Sequence, residues 1–204
     1  MREIIFDTET TGLDPQSGDR LVEIGCIEMV NRVTTGETFH CYFNPERDMP
    51  AAAENVHGLS ITFLSDKPKF VERVHDLLEF IGDSQLVAHN AGFDMGFLNM
   101  ELAICGLDPL PRERAVDTVA LARVRHPGAK NSLDALCTRY GIDRSHRIKH
   151  GALLDAQLAA QGRADRDGVF EQQLRPAFGD AIERGQRRAA VSAPFGAVRW
   201  RRPE

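Results

Sequence analysis

Residues 3–12 read Glu3-Ile4-Ile5-Phe6-Asp7-Thr8-Glu9-Thr10-Thr11-Gly12. An apolar, β-rich run that ends in carboxylates and threonines predicts a buried strand feeding a polar turn. Charges that interrupt a buried strand are expensive unless they are used. On a strand, residues i and i+2 face the same way, so Asp7 and Glu9 would stand side by side and repel unless a cation lay between them. The bland alternative is a solvated strand end. A D-x-E triplet arises by chance about once per 300 positions, so its position, not its existence, gives it weight.

Two more β-rich segments follow. Residues 20–31 are apolar and β-branched, and in residues 38–43 Phe39, Cys41 and Phe43 alternate at period two. With polar gaps near 14–19 and 32–35, the three segments predict an antiparallel meander, ended by Asn44-Pro45-Glu46 because proline removes a ladder donor. Beyond it the period changes. Residues 51–56 and 60–64 read as short helical pieces, and residues 67–81 carry Phe70, Val74, Leu77, Leu78 and Ile81 at helical spacing. A short strand over 85–89 precedes a helix over 93–104 that stops before Gly106. Residues 115–125 are apolar but short, Ser132 caps a helix that reaches Tyr140 and stops at Gly141, and residues 151–160 are strongly helical by propensity. A meander followed by helices alternating with single strands predicts an α/β fold, a mixed central sheet with helices on its faces.

Two further segments resemble the first in ending an apolar element on a carboxylate. His89-Asn90-Ala91-Gly92-Phe93-Asp94 follows a predicted strand, which places Asp94 at the strand end or in the next helix's first turn, where ligands gather in open α/β sheets. An Asx turn or helix cap explains it equally well. In His150-Gly151-Ala152-Leu153-Leu154-Asp155, five helical steps turn about 500°, so the two side chains do not share a helical face. Gly151 lets the histidine lie outside the helix and swing back. A zinc ligand, a structural cap and a general base all remain open for it. Together the segments collect Asp7, Glu9, Asp94 and Asp155, four hard oxygen donors that suit Mg²⁺ or Mn²⁺ rather than a thiolate zinc site.

Composition narrows the field. The 204 residues hold 42% hydrophobic and 27% charged residues, with no apolar run long enough for a membrane span and no signal-peptide layout, which predicts a cytoplasmic protein of one main domain. Cys26, Cys41, Cys105 and Cys137 are scattered, which argues against a disulfide scaffold. Up to residue 161 there are 16 Lys+Arg against 24 Asp+Glu; beyond it, 9 against 6. An acidic body repels phosphate at long range, so contact with nucleic acid there needs bound cations.

The three motifs, F-D-T-E-T-T-G-L, H-N-A-G-F-D and H-G-A-L-L-D-A-Q-L, in this order and spacing resemble those of the DEDDh (DnaQ-like) 3′–5′ exonucleases, which have a ribonuclease H-like fold. Within that family, E-N-V-H-G-L-S-I-T-F-L-S-D-K-P-K-F, A-V-D-T-V-A-L-A-R and K-N-S-L-D-A-L-C-T-R-Y-G-I are similar to the epsilon-type proofreading members of bacterial DNA polymerase III. The resemblance implies that Asp7, Glu9, Asp94 and Asp155 hold two divalent cations, Mg²⁺ or Mn²⁺, and that His150 is the general base. It places Thr8, Thr10, Leu13, His57 and Phe93 around the terminal nucleotide, Leu13 as a wedge against a base. For His57 a turn histidine, and for Leu13 and Phe93 simple packing, remain alternatives. Asp117 and Asp134 read as caps. The implied partners are a single-stranded primer 3′ end, the polymerase catalytic (alpha) subunit, a theta-like subunit and the sliding clamp. A free-standing member that trims single-stranded DNA or RNA, and a non-catalytic scaffold, are the competing readings.

The resemblance covers residues 2–161. Residues 162–204 form an Arg/Ala-rich tail without lysine, without a sustained apolar face and without a convincing clamp motif; Ser192-Ala193-Pro194-Phe195 is at best a remnant. A loosely ordered extension follows from that composition, and a shifted reading frame or a lineage-specific tail would each account for it.

Overall fold

The computed structural model describes residues 1–143, 145 and 149–165. The tail from residue 166 onward, with its expected disorder, lies outside the described residues.

The opening strand, β1 (Arg2–Thr10), does not stop at Asp7. It continues because β2 (Leu21–Val30) runs antiparallel beside it in unbroken register from Arg2↔Val30 to Glu9↔Glu23, with an irregularity only between Glu9 and Thr10. The carboxylates therefore lie within the ladder rather than in the turn. Strand β3 (Val33–Tyr42) is antiparallel to β2 and starts earlier than its alternation suggests. Its first six residues are exposed on both faces, so that stretch carries no period-two signal. The turn before it is only Asn31-Arg32, with φ of 52° and 69°. Both left-handed positions are what a tight two-residue hairpin demands, and asparagine tolerates the first.

Two parallel strands complete the sheet. β4 (Gln85–Ala88) lies along β1 and β5 (Ala115–Asp117) along β4, giving the order β3-β2-β1-β4-β5. Between β3 and β4 come α1 (Ala51–His57), α2 (Ile61–Leu64) and α3 (Phe70–Ile81). The last starts later than its apolar spacing suggests because Pro68 biases Lys67 away from helix. Helix α4 (Ala91–Ile104) follows β4, α5 (Thr118–Arg125) follows β5, and α6 (Leu133–Tyr140) and α7 (Ala152–Asp165) close the described chain. Residues 115–125 thus split into a strand and a helix at Asp117.

Strand β1 is buried on both faces. Ile4 and Phe6 join Ile24, Cys26, Phe70, Val74, Leu77, Phe97 and Leu98 on one side. Ile5 joins Ile27, Val87, Ala156, Ala159 and Ala160 on the other. Each such side chain contributes about 1.5–3 kcal/mol by leaving water, which makes β1 the anchor of the sheet. The alanine face of α7 lets that helix approach closely. Helix α7 runs four residues past 161, and its Arg163, buried, donates to Glu3 Oε1 at 2.7 Å. Among the described residues no helix is long and apolar enough to cross a membrane.

Candidate active site

On the α7 side of the sheet the strand registers create two cross-strand rows, Asp7–Gly25–His40 and Glu9–Glu23–Tyr42. Residues directly opposite one another share a face, so Asp7 and Glu9 do stand on one side. Gly25 is the gap that admits α7. A Cβ there would fall 2.3 Å from the Leu153 Cα and nitrogen and 2.6 Å from the Ala152 carbonyl carbon. The first turn of α7 therefore rests on bare backbone, and Asp155 arrives, buried, at the Asp7 row. His150 precedes the helix. Its Nδ1 lies 3.3 Å from Asp155 Oδ2, and its backbone N–H donates to the Val56 carbonyl at 3.3 Å.

Asp94 comes from the opposite side of β1, in the first turn of α4. It is buried and accepts the Thr8 hydroxyl at 2.7 Å, so it is not the helix cap. The N-cap is Asn90, held in the left-handed region at φ 75°. Capping falls to Asp117 instead, which accepts from Val119 N–H at 2.8 Å and from Asn90 N–H at 3.1 Å. At α6, Ser132 caps and Asp134 sits in the first turn.

Around these side chains opens a cavity of about 820 Å³. Asp7, Glu9, Asp94, Asp155 and His150 line it together with Thr8, Thr10, Leu13, His57 and Phe93, so all ten sequence candidates meet at one place. Leu13 is 85% exposed at its mouth, and Phe93 is braced by Phe97 with ring centroids 5.0 Å apart. The two threonine hydroxyls have partners within the chain. Thr8 spends its hydroxyl proton on Asp94 and Thr10 gives its own to the Gly12 carbonyl at 2.6 Å. Both residues line the cavity. His57 Nδ1 accepts the Leu59 N–H at 3.0 Å, which places the neutral ring's proton on Nε2. That nitrogen is buried without a hydrogen-bond partner. Burial pushes the His57 pKa down; the nearby Thr10 carbonyl favours the proton but makes no hydrogen bond of ordinary geometry.

Electrostatics test whether the residues suit a cation. Burial, then the negative charges of Asp94, Asp155, Glu9 and Glu23, push the Asp7 carboxyl well above the usual carboxylate range. Burial lifts Asp94 to about 7 against the Thr8 hydrogen bond, which pulls it down. One ligand atom each from Glu9, His150 and Asp155 lies within 4.8 Å of the others. Buried carboxylates crowded until they resist ionisation are what a hard divalent cation relieves, so the donor set fits one.

Beside the site, one further residue carries a readable signal. Glu23 is a charge inside an apolar strand, the same signal that singles out Asp7, and it is buried opposite Glu9. Asp19, Ser132 and Asn90 line the cavity itself, but they lie in turns where polar residues are ordinary.

A family model described as Exonuclease (RNase_T) matches residues 4–161. The DNA polymerase III subunit epsilon of Rickettsia typhi is 56% identical over 164 residues, covering 79% of this chain and 72% of that protein. The subunit of the same name from Escherichia coli K12 is 45% identical over 168 residues, covering 78% and 69%. Among solved structures, Exonuclease X in complex with 5′ overhanging duplex DNA aligns with a TM-score of 0.62 at 25% identity over 83% of this chain and 92% of that one. Escherichia coli Exonuclease I in complex with a dT13 oligonucleotide aligns at 0.69 and 19% identity, over 85% and 42%, and shares the fold.

Proposed function

This chain belongs to the exonuclease family, and from that premise we propose that it is a proofreading 3′–5′ exonuclease of a bacterial DNA polymerase III, releasing nucleoside 5′-monophosphates from a primer 3′ end. The observation that carries the reading is the convergence of four carboxylates and His150 on one cavity. We assign cation binding to Asp7, Glu9, Asp94 and Asp155, and Mg²⁺ or Mn²⁺ as the ions. When bound, two divalent cations supply Lewis acidity at the phosphate and lower the pKa of the attacking water.

The chain's own residues do the rest. Asp155 beside Nδ1 sets the His150 tautomer with its proton on Nδ1, so the proton from the attacking water is taken at Nε2. Exposure of His150 at the cavity rim gives that proton a route to solvent. Thr8 fixes Asp94 in one rotamer, which holds its oxygens where the charge is needed. We place His57, which lines the cavity, beside the last nucleotide. Leu13, exposed at the mouth, and Phe93 offer apolar surface to a frayed base. A frayed end fits because the cavity admits one splayed strand, and unpairing is easiest at a mismatch.

The partners we assign are the polymerase catalytic (alpha) subunit and, more remotely, a theta-like subunit and the sliding clamp; a cytoplasmic location follows from that role. The test pairs a pull-down on the catalytic subunit with excision from matched and mismatched 3′ ends. Association and faster excision at the mismatch support the assignment. Vigorous trimming of short RNA without association makes the chain a free-standing exonuclease instead.

A further inference from the structure

We propose that Glu23 is a positioning residue for the cation site: its negative charge, held behind Glu9 by His40, tightens divalent-cation binding in the cavity without ligating the ions. The inference rests on the reading of the carboxylate cluster as a cation site. Glu23 does not line the cavity, yet it stands directly opposite Glu9 in the β1–β2 ladder. It is 3% exposed, on the α7 side of β2 that also carries the buried Ile27 and Met29. A carboxylate in such surroundings is costly unless hydrogen-bonded.

Its partners come from the edge strand. His40 Nε2 lies 2.7 Å from Glu23 Oε1, reaching diagonally from the row of Gly25 to that of Glu23. Tyr42 stands opposite Glu23 in the ladder, and its ring packs edge-on against His40 at 4.8 Å and Phe63 at 5.1 Å. The carboxylate is thus clamped on its outer side and faces a like charge on its inner side. Like charges directly opposite on paired strands destabilise the apo sheet. A cation bound at Glu9 and Asp7 removes that repulsion, so part of the stored cost returns as affinity. The Glu23 charge reaches both Asp7 and His57.

The competing role is a tie between β2 and the edge strand. Glutamine keeps a hydrogen bond to His40 and carries no charge, so Glu23→Gln separates charge from contact. Calorimetric titration of Mn²⁺ into the full chain, with melting in EDTA, reads both. We expect binding weakened about tenfold and an EDTA melting temperature equal to or above that of the wild type. His40→Lys, at a half-exposed position, keeps a donor to Glu23 but adds a permanent positive charge, and should also weaken Mn²⁺ several-fold. It tests the idea even where Glu23→Gln does not fold. Wild-type affinity in either folded variant overturns the proposal and leaves Glu23 as a strand tie, with the cation site intact. Absence of Mn²⁺ binding by the wild type overturns both this proposal and the cation-site reading beneath it.

Discussion

Gly25 lies directly across the β1–β2 ladder from Asp7, and a methyl group on it would sit 2.3 Å from the Leu153 Cα. Backbone on both sides leaves nothing flexible to yield, so Gly25→Ala must lift the start of α7, and with it Asp155 and His150. Overpacking of this kind costs about 1–3 kcal/mol, and a misplacement near 1 Å can cost about 100-fold in rate. Excision rate and melting temperature measured on the same preparation should show activity falling much further than stability. Near-wild-type turnover in a folded Gly25→Ala protein contradicts the packing argument.

Asp94 makes metal-free stability fall as pH rises. Its folded carboxyl is raised to about 7 by burial, above the unfolded value near 3.9. Between those values the folded state holds more protons than the unfolded one, so stability is greatest at the acid side and is lost as pH climbs through 7. In EDTA the melting temperature should drop by several degrees between pH 5.5 and 8, and Asp94→Asn should flatten the slope. Mn²⁺ should raise it more at pH 8 than at pH 5.5, since protons and cations compete for one site. A flat wild-type profile in EDTA counts against the buried carboxylate pair.

His150 is exposed and touches Asp155 from outside the helix. As a general base it should be dispensable for cation binding and essential for turnover. His150→Gln should lower kcat by roughly 10²- to 10⁴-fold with Mn²⁺ affinity within a few-fold of wild type. A parallel loss of affinity would make it a ligand, which its place beside Glu9 and Asp155 also allows geometrically.

Leu13 rides on a loop braced by Asp19 and Arg47. Asp19 accepts the Asp14 N–H at 3.2 Å and the Thr11 hydroxyl at 3.3 Å, and Arg47 binds Asp19 at 2.9 Å and the Gly18 carbonyl. A half-exposed ion pair is worth about 0.2–1 kcal/mol, so Arg47→Ala should raise KM for a DNA 3′ end about two- to fivefold with kcat little changed. Steady-state kinetics on one primer decide it; a fall in kcat at constant KM would mean that the loop acts on chemistry instead.

Much of this was legible before any coordinates. The I-I-F strand, the helical spacing of Phe70, Val74, Leu77 and Ile81, and the caps at Ser132 and Gly141 follow from local rules, and the sheet bears them out. The family of the three motifs was legible too, and the matched exonuclease model spans the same stretch. Strand lengths were not. Thr8 to Thr10 and the exposed start of β3 have no periodic signal of their own and are strands because a neighbour pairs with them. Glu23 and Gly25 escaped for a related reason, since their importance lies in what stands across the ladder and above it. The partners of the Thr8 and Thr10 hydroxyls, Asp94 and the Gly12 carbonyl, follow from side-chain geometry that no local rule gives.

Asp7 is the carboxylate on which every part of the site converges, buried and crowded by Asp94, Asp155, Glu9 and Glu23. The decisive measurement is a time course on a 3′-mismatched primer with Mg²⁺, comparing wild type with Asp7→Asn and resolving the products. Wild type should release nucleoside 5′-monophosphates one at a time from the 3′ end, with none in EDTA and at least a 10³-fold slower release by the variant. Undiminished release by Asp7→Asn, cation-independent activity, or products taken from the 5′ end would contradict the four-carboxylate site as the seat of hydrolysis.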